Sequence, residues 1–291
     1  MNCPVCAGAE DAPVGDYLGT HEIFKRMSLV RCAGCGLVFA QPQPTAAELA
    51  DYYGHYWDGE VAISTPSTRR YYLAQSLSRI AYLQGFGALD SASVLDMGAG
   101  LGLLHDALEK VGIAHRYVAV ETDRGQLTAL KARLGDTGAH ASLQELPEVA
   151  TWDIIVFAHV LEHIAQPHEL IAALMRRLKP GGRLLVEVPN GDYRYKNNFE
   201  SHLLFFDAAS LRRLLECHGE LLDVNTVGKD AAKLRITQVH PGKSLLRPLK
   251  ELVKTVIAVA TPDFNRRQIE RYEMNSYGGD RQWLRALLRR A

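Results

Sequence analysis

Apolar positions along the chain follow a helical spacing in YYLAQSLSRIAYLQGF, between Arg69 and Phe86, and change character after Val94. From there short apolar runs alternate with amphipathic ones. VLDM (94–97), YVAVE (117–121), a short stretch near His140 to Ser142, DIIVFA (153–158) and RLLVEVPN (183–190) read as strands. DIIVFA is apolar throughout, as a strand covered on both faces is. LGLLHDALEKVG, RGQLTALKARLG, PHELIAALMRRLKPGG and AASLRRLLECHG read as helices, the first closed by Gly112 and the third by Gly181 and Gly182. LLDVNTVG and AAKLRITQVH read as a hairpin. Further on, LRPLKELVKTVIA puts Leu249, Leu252, Val253, Val256 and Ile257 on one helical face, and RQWLRALLRR repeats the pattern with Trp283, Leu284, Leu287 and Leu288. Strands alternating with ten- to fifteen-residue helices predict an α/β fold with a doubly wound, mostly parallel sheet and a helical C-terminal tail.

Length and composition narrow the class. The 291 residues are 47% hydrophobic and 23% charged, enough for one large domain with small appendages. No apolar run reaches the ~18–20 residues of a membrane span, and MNCPVC lacks the basic and apolar regions of a secretion signal. A cytoplasmic location is expected. The formal charge is zero, but from Lys243 onward eleven Lys and Arg face five acids, so this stretch carries +6 and the remainder −6. The organisation expected is a zinc-binding module at 1–40, a helical and aromatic linker and lid at 41–90, a core at 91–240, and a basic helical extension at 241–291.

The first chemistry along the chain is sulfur. Cys3, Cys6, Cys32 and Cys35 form CPVC and CAGC, two CxxC pairs separated by 25 residues. Each pair sets two thiolates on one tight turn, and two such turns close a tetrahedron around Zn²⁺, with residues 10–31 folding back as a hairpin. All four ligands are protein groups, so the ion would be structural. Two disulfides are the alternative, disfavoured in a reducing compartment. Cys217, in LRRLLECHG, reads as a small buried hydrophobe.

The second is the turn after VLDM. Gly98, Gly100 and Gly102 alternate at the carboxyl end of the first strand, where doubly wound sheets bind ligands. The spacing is GxGxG, not the GxGxxG of dinucleotide folds. Asp96 at the turn favours a cationic amine or sulfonium and opposes a pyrophosphate. Glu121, ending the next strand, is placed to accept both hydroxyls of a ribose.

VLDMGAGLG, VAVETD, LQELP, WDIIVFAHVLEHI, LKPGGRLLVEVPN and ESHLLFFDAASLRRLLECHG resemble the successive motifs of class I S-adenosylmethionine-dependent methyltransferases. The similarity covers about residues 70–240 and is to the branch holding the ubiquinone-biosynthesis O-methyltransferases and many sugar and natural-product enzymes. The cysteine module resembles the N-terminus of deoxysugar C-methyltransferases. The resemblance implies a seven-stranded Rossmann-like sheet and S-adenosylmethionine as cofactor. It implies that Asp96, Gly98, Gly100 and Gly102 line the methionine and ribose part, that Glu121 holds the ribose, that Ser142 and Leu143 face adenine, and that Ala158 touches the methionine end.

Methyl transfer to a hydroxyl needs a base as well as alignment, and histidine is the usual side chain for that. His159 and His163 follow the fourth strand and His202 the fifth. FESHLLFF resembles a YHEHLSYF-type segment of sugar C-methyltransferases, whose final histidine matches His202, while Phe199 replaces the tyrosine and Ser201 the glutamate. O-methylation with His202 as base is therefore expected, with His163 the second catalytic candidate and Glu162–His163 also readable as a structural pair. Tyr52, Tyr53, Tyr56, Trp57, Tyr193, Tyr195 and His159 are candidates to close over the cofactor or contact the acceptor. The acceptor expected is a sugar, glycan or other small metabolite. C- or N-methylation, an RNA methyltransferase gripping nucleic acid through its zinc module, and a non-catalytic cofactor-binding scaffold are the alternatives. Neutral net charge and few Lys or Arg in residues 1–60 argue against RNA. The basic tail is compatible with packing on the core, with a homodimer, or with peripheral contact to a membrane surface.

Overall fold

The computed structural model describes residues 2–9, 11–55, 66–237 and 273–291. The expected N-terminal hairpin forms: strand β1 (Asp11–Asp16) pairs antiparallel with β2 (Ser28–Cys32), and β2 with β3 (Val38–Gln41). Helix α1 (Ala46–Gly54) starts at a capping box, in which the Thr45 side chain accepts from the Glu48 N–H and Glu48 accepts from the Thr45 N–H. Arg26 reaches across from the module to the same Glu48 carboxylate at 2.7 Å. Helix α2 (Pro66–Gln84) follows.

The alternating segments then build β4 (Ala92–Met97), α3 (Leu103–Lys110), β5 (His115–Val120), α4 (Arg124–Leu134), β6 (Ala139–His140), β7 (Trp152–Ala158), α5 (Pro167–Arg176) and β8 (Leu178–Pro189). A short β9 (Leu204–Phe205), α6 (Ala208–Leu215), β10 (Glu220–Asp230), α7 (Ala231–Thr237) and β11 (Arg281–Arg289) complete the order. The main sheet has seven strands in the order β10-β11-β8-β7-β4-β5-β6. Strands β8, β7, β4, β5 and β6 run parallel, and β11 lies antiparallel to both β8 and β10. The order reverses at β4, so the turn after β4 opens a crevice at the carboxyl ends of the strands.

Two expectations fail at the C-terminal side. RQWLRALLRR is not a helix but the strand β11, buried from Gln282 to Leu288 between two neighbours. A strand covered on both faces loses its alternation and reads as an unbroken apolar run, which periodicity does not separate from a buried helix. AAKLRIT is helical, and the hairpin partner of β10 is β11 rather than the segment that follows β10. The core therefore extends to residue 289 instead of closing at 240, while LRPLKELVKTVIA lies outside the described residues.

The cysteine module is not an appendage. Strand β3 pairs with β9 of the main body through Val38 with Phe205 and Phe39 with Leu204. Val5, Phe24, Leu37 and Phe39 belong to the same buried apolar cluster as Leu174, Leu184 and Phe206. Phe39 is fully buried, and a phenyl group so placed contributes about 1.5–3 kcal/mol. His168 Nε2 donates to the Val5 carbonyl at 2.8 Å, tying α5 to the first cysteine turn.

Candidate active site

A cavity of about 590 Å³ opens at the carboxyl ends of β4, β7 and β8. Its first wall is the glycine turn. Gly98, Gly100 and Gly102 all have positive φ, +73°, +55° and +68°. A Cβ on Gly98 would stand 2.3 Å from Val160 Cγ2, and one on Gly102 would stand 2.7 Å from Leu130 Cδ2. Only glycine fits both the backbone angle and the space there. Gly98 and Gly100 line the cavity; Gly102 sits behind as the N-cap of α3.

Asp96 lies on the cavity floor and is 6% exposed. Burial raises its carboxyl to about 6, against the Tyr117 hydroxyl, which donates to Oδ2 at 2.5 Å. Glu121 does not line the cavity. Its Oε2 accepts the Gly100 N–H at 2.7 Å and its Oε1 accepts the Asp123 N–H at 2.9 Å, so it fixes the loop from behind. Ser142 and Leu143 begin a 3-10 turn outside the cavity lining, and Ala158 lies within it.

Beside the cavity lies a network of buried charge. Glu187, near the carboxyl end of β8 and wholly buried, receives Arg79 from α2 at 2.6 Å and Arg285 from β11 at 2.5 Å. Burial pushes the Glu187 carboxyl up, but Arg285, Arg79 and His159 outweigh it and hold it well below the usual carboxylate range. His159 bridges Glu187 (Nε2 to Oε1 3.3 Å) and Glu162 (Nδ1 to Oε1 3.5 Å). Its backbone is in the left-handed region at φ +57°, a conformation costly for a residue with a Cβ and concentrated at functional sites. Against its own desolvation, the two carboxylates raise the His159 pKa.

His202 lines the cavity and is 7% exposed. Its Nδ1 stands 2.9 Å from Oδ2 of Asp192, a buried acid in the 3-10 turn after β8 that also lies 2.7 Å from Lys196 Nζ. His163 packs edge-on against the His202 ring at 4.9 Å, and its Nδ1 donates to the Ser201 carbonyl at 3.1 Å. Burial pushes His163 down to about 4, so it is neutral near pH 7. The loop bearing His202 is clamped by the cysteine module. The Tyr17 hydroxyl lies 2.8 Å from the Phe199 carbonyl and 3.0 Å from the His202 carbonyl, and the Phe199 N–H donates to the Leu18 carbonyl at 2.6 Å.

Among the aromatic candidates, Tyr195 lines this cavity, and Tyr193 instead lines a second one of about 240 Å³, beside Arg31. Tyr56 and Trp57 lie outside the described residues. The sequence reading missed Arg79, Glu187 and Arg285, Asp192 and Lys196, and the wall that α2 and β11 supply through Tyr71, Tyr72 and Trp283. A lone Glu in the apolar run RLLVEVPN was a legible sign of a buried charge needing a partner.

Cys3, Cys6, Cys32 and Cys35 converge, their sulfurs within 4.8 Å of one another. Cys3 pairs across with Cys35 and Cys6 with Cys32, each at 3.5 Å. That is far beyond a disulfide bond and close to the ~3.8 Å between sulfurs of a tetrahedron with ~2.3 Å metal bonds. The fifth cysteine, Cys217, is exposed, contrary to expectation, because it falls on the outer side just past α6.

Comparison with known proteins agrees with this architecture. Residues 67–219 match a family model described as a methyltransferase domain. A Mycolicibacterium smegmatis protein named "Probable S-adenosylmethionine-dependent methyltransferase" is 29% identical over 191 residues, covering 59% of this chain and 73% of that protein. The ubiquinone biosynthesis O-methyltransferase of Paracidovorax citrulli is 31% identical over 112 residues, covering 36% of this chain and 46% of that one. The chain spans about half the length of the ubiquinone O-methyltransferases it matches. A chain from the complex between the Haloferax volcanii Trm112 methyltransferase activator and a methyltransferase shares the fold at a TM-score of 0.50 and 15% identity, covering 84% of this chain and 97% of that one.

Proposed function

The chain belongs to the methyltransferase-domain family, and on that premise we propose that it moves the methyl group of S-adenosylmethionine to a hydroxyl of a sugar, glycan or other small metabolite, with His202 as general base. The observation that carries this reading is the placing of His202, whose Nδ1 lies 2.9 Å from buried Asp192, in the same cavity as the glycine turn and Asp96. The residues fit the cofactor: the backbone at Gly98 and Gly100 leaves a cradle without side chains, and Asp96 offers a buried carboxylate to a cationic group. When bound, S-adenosylmethionine supplies an electrophilic methyl on a sulfonium. Asp96 and the glycine turn would hold and orient it. Asp192 fixes the His202 ring so that its second nitrogen takes the hydroxyl proton, the role an acid plays behind a histidine base. Alignment supplies the remaining rate, since in-line displacement depends on near-attack geometry. A screen of nucleotide sugars, glycans and phenols, following label from S-adenosylmethionine, tests the reading. Turnover of a hydroxyl acceptor supports it; tighter binding of NAD than of S-adenosylhomocysteine would sink it.

Glu121 is expected to set cofactor affinity through the loop. Removing a charged acceptor that holds the Gly100 N–H costs about 1.5–3 kcal/mol, one to two decades in affinity. Calorimetry of Glu121→Ala with S-adenosylhomocysteine measures this, and unchanged affinity would defeat the assignment.

Cys3, Cys6, Cys32 and Cys35 are read as a structural Zn²⁺ site. Burial raises the Cys3 thiol to about 11 and Cys35 further still, so a cation is what would ionise them together. Elemental analysis of protein expressed in zinc-replete medium should find one Zn²⁺ per chain, lost in Cys32→Ser. Four freely titratable thiols in the folded protein would be the contrary result. Because Tyr17 grips the His202 loop, Cys32→Ser should also lower turnover more than cofactor affinity.

A further inference from the structure

We propose that His105, Glu109 and His115 form a second metal site, for a divalent transition-metal ion, between helix α3 and strand β5. One ligand atom from each lies within 4.8 Å of the others. None of the three lines the main cavity, and the four cysteines form a separate group. His105 and Glu109 are one helical turn apart on α3, so both side chains rise from one face. His115, at the start of β5, faces them: its ring stands 5.3 Å from that of His105, and its Nε2 is 3.8 Å from a Glu109 oxygen.

Three features separate this group from a chance cluster. His115 Nδ1 donates to the Ile113 carbonyl at 2.6 Å, which fixes the tautomer and leaves the Nε2 lone pair toward Glu109. A backbone carbonyl behind a metal-binding imidazole is the usual outer support of such a ligand. His105 Nδ1 is buried and has no hydrogen-bond partner among the described residues. The spacing also fits. Ligands ~2.0–2.2 Å from a tetrahedral ion stand ~3.3 Å apart, and the exposed Glu109 side chain closes the difference by rotating. Two imidazoles and a carboxylate suit Zn²⁺, Ni²⁺ or Cu²⁺, not the all-oxygen shells of Mg²⁺ or Ca²⁺.

The test is titration of the tag-free full chain, loaded with zinc at the cysteines and desalted, with Ni²⁺ in a calorimeter. One further equivalent should bind and raise the melting temperature. His105→Ala and His115→Ala should each abolish it, and Glu109→Gln should weaken it by at least the ~10–100-fold that loss of an outer partner alone costs. Cys32→Ser should keep it, whatever becomes of zinc at the cysteines, so the two metal readings fail separately. His202→Ala should keep it too, because Glu162, His163 and His202 also approach within 4.8 Å. Absence of the equivalent in folded wild type, its survival in His115→Ala, or its loss in His202→Ala would each overturn the proposal.

Discussion

His202→Ala is expected to lower methyl transfer about a hundredfold or more while S-adenosylmethionine affinity stays nearly unchanged. A positioned base contributes roughly 10²–10⁴-fold, and an interaction made with the acceptor proton alone should appear in kcat and not in cofactor binding. Asp192→Asn should reproduce much of the loss, because Asp192 Oδ2 is the group 2.9 Å from His202 Nδ1. His163→Ala is the control. That ring is buried neutral against Tyr53 and His202, with Nδ1 on the Ser201 carbonyl, so its loss should cost stability rather than a selective chemical defect. Near-normal turnover in His202→Ala beside a dead but folded His163→Ala would reverse the assignment.

Glu187→Ala is expected to be the most destabilising single change. It leaves the wholly buried Arg285 and nearly buried Arg79 without their common carboxylate, and breaking a buried pair in this way costs about 3–5 kcal/mol. Urea melts of Glu187→Ala and Glu187→Gln measure it. A loss under 1 kcal/mol in both would mean that the guanidiniums find other partners. Arg285 already donates to the Ser78 carbonyl and hydroxyl, but at 3.3 and 3.2 Å these neutral contacts do not replace a carboxylate.

The parallel half of the sheet and its glycine turn were legible because strand and helix periods differ and the apolar runs are long. The cysteine cluster was legible because CxxC spacing is rigid. What stayed hidden depended on contacts between distant segments. Trp283 read as part of an apolar helical face because WLRALL satisfies such a face as well as a doubly covered strand. Asp192, in PNGDY, has the composition of a turn, and only the return of the chain at His202 gives it a role. Glu121 read as a ribose-holding acid, and in the fold its Oε2 accepts the Gly100 N–H while its side chain lies outside the cavity lining. The packing of the cysteine module onto the core stayed hidden as well, since two residue pairs between β3 and β9 and a shared apolar cluster carry no local sequence signal.

Strand β11 fills the gap between β8 and β10, and it is made after both. As the ribosome delivers the chain, β8 and β10 emerge with facing edges unpaired, and Glu187 waits 98 residues for Arg285. Until then the nascent sheet presents a slot of open backbone groups and one buried acid short of a partner, the kind of surface that recruits chaperones or pairs wrongly with a neighbouring chain. Closure of that slot from so far along the sequence makes completion of the sheet a long-range step, and such steps are slow. Assembly of the cavity, to which Trp283 contributes a wall, is thereby deferred until synthesis has passed β11.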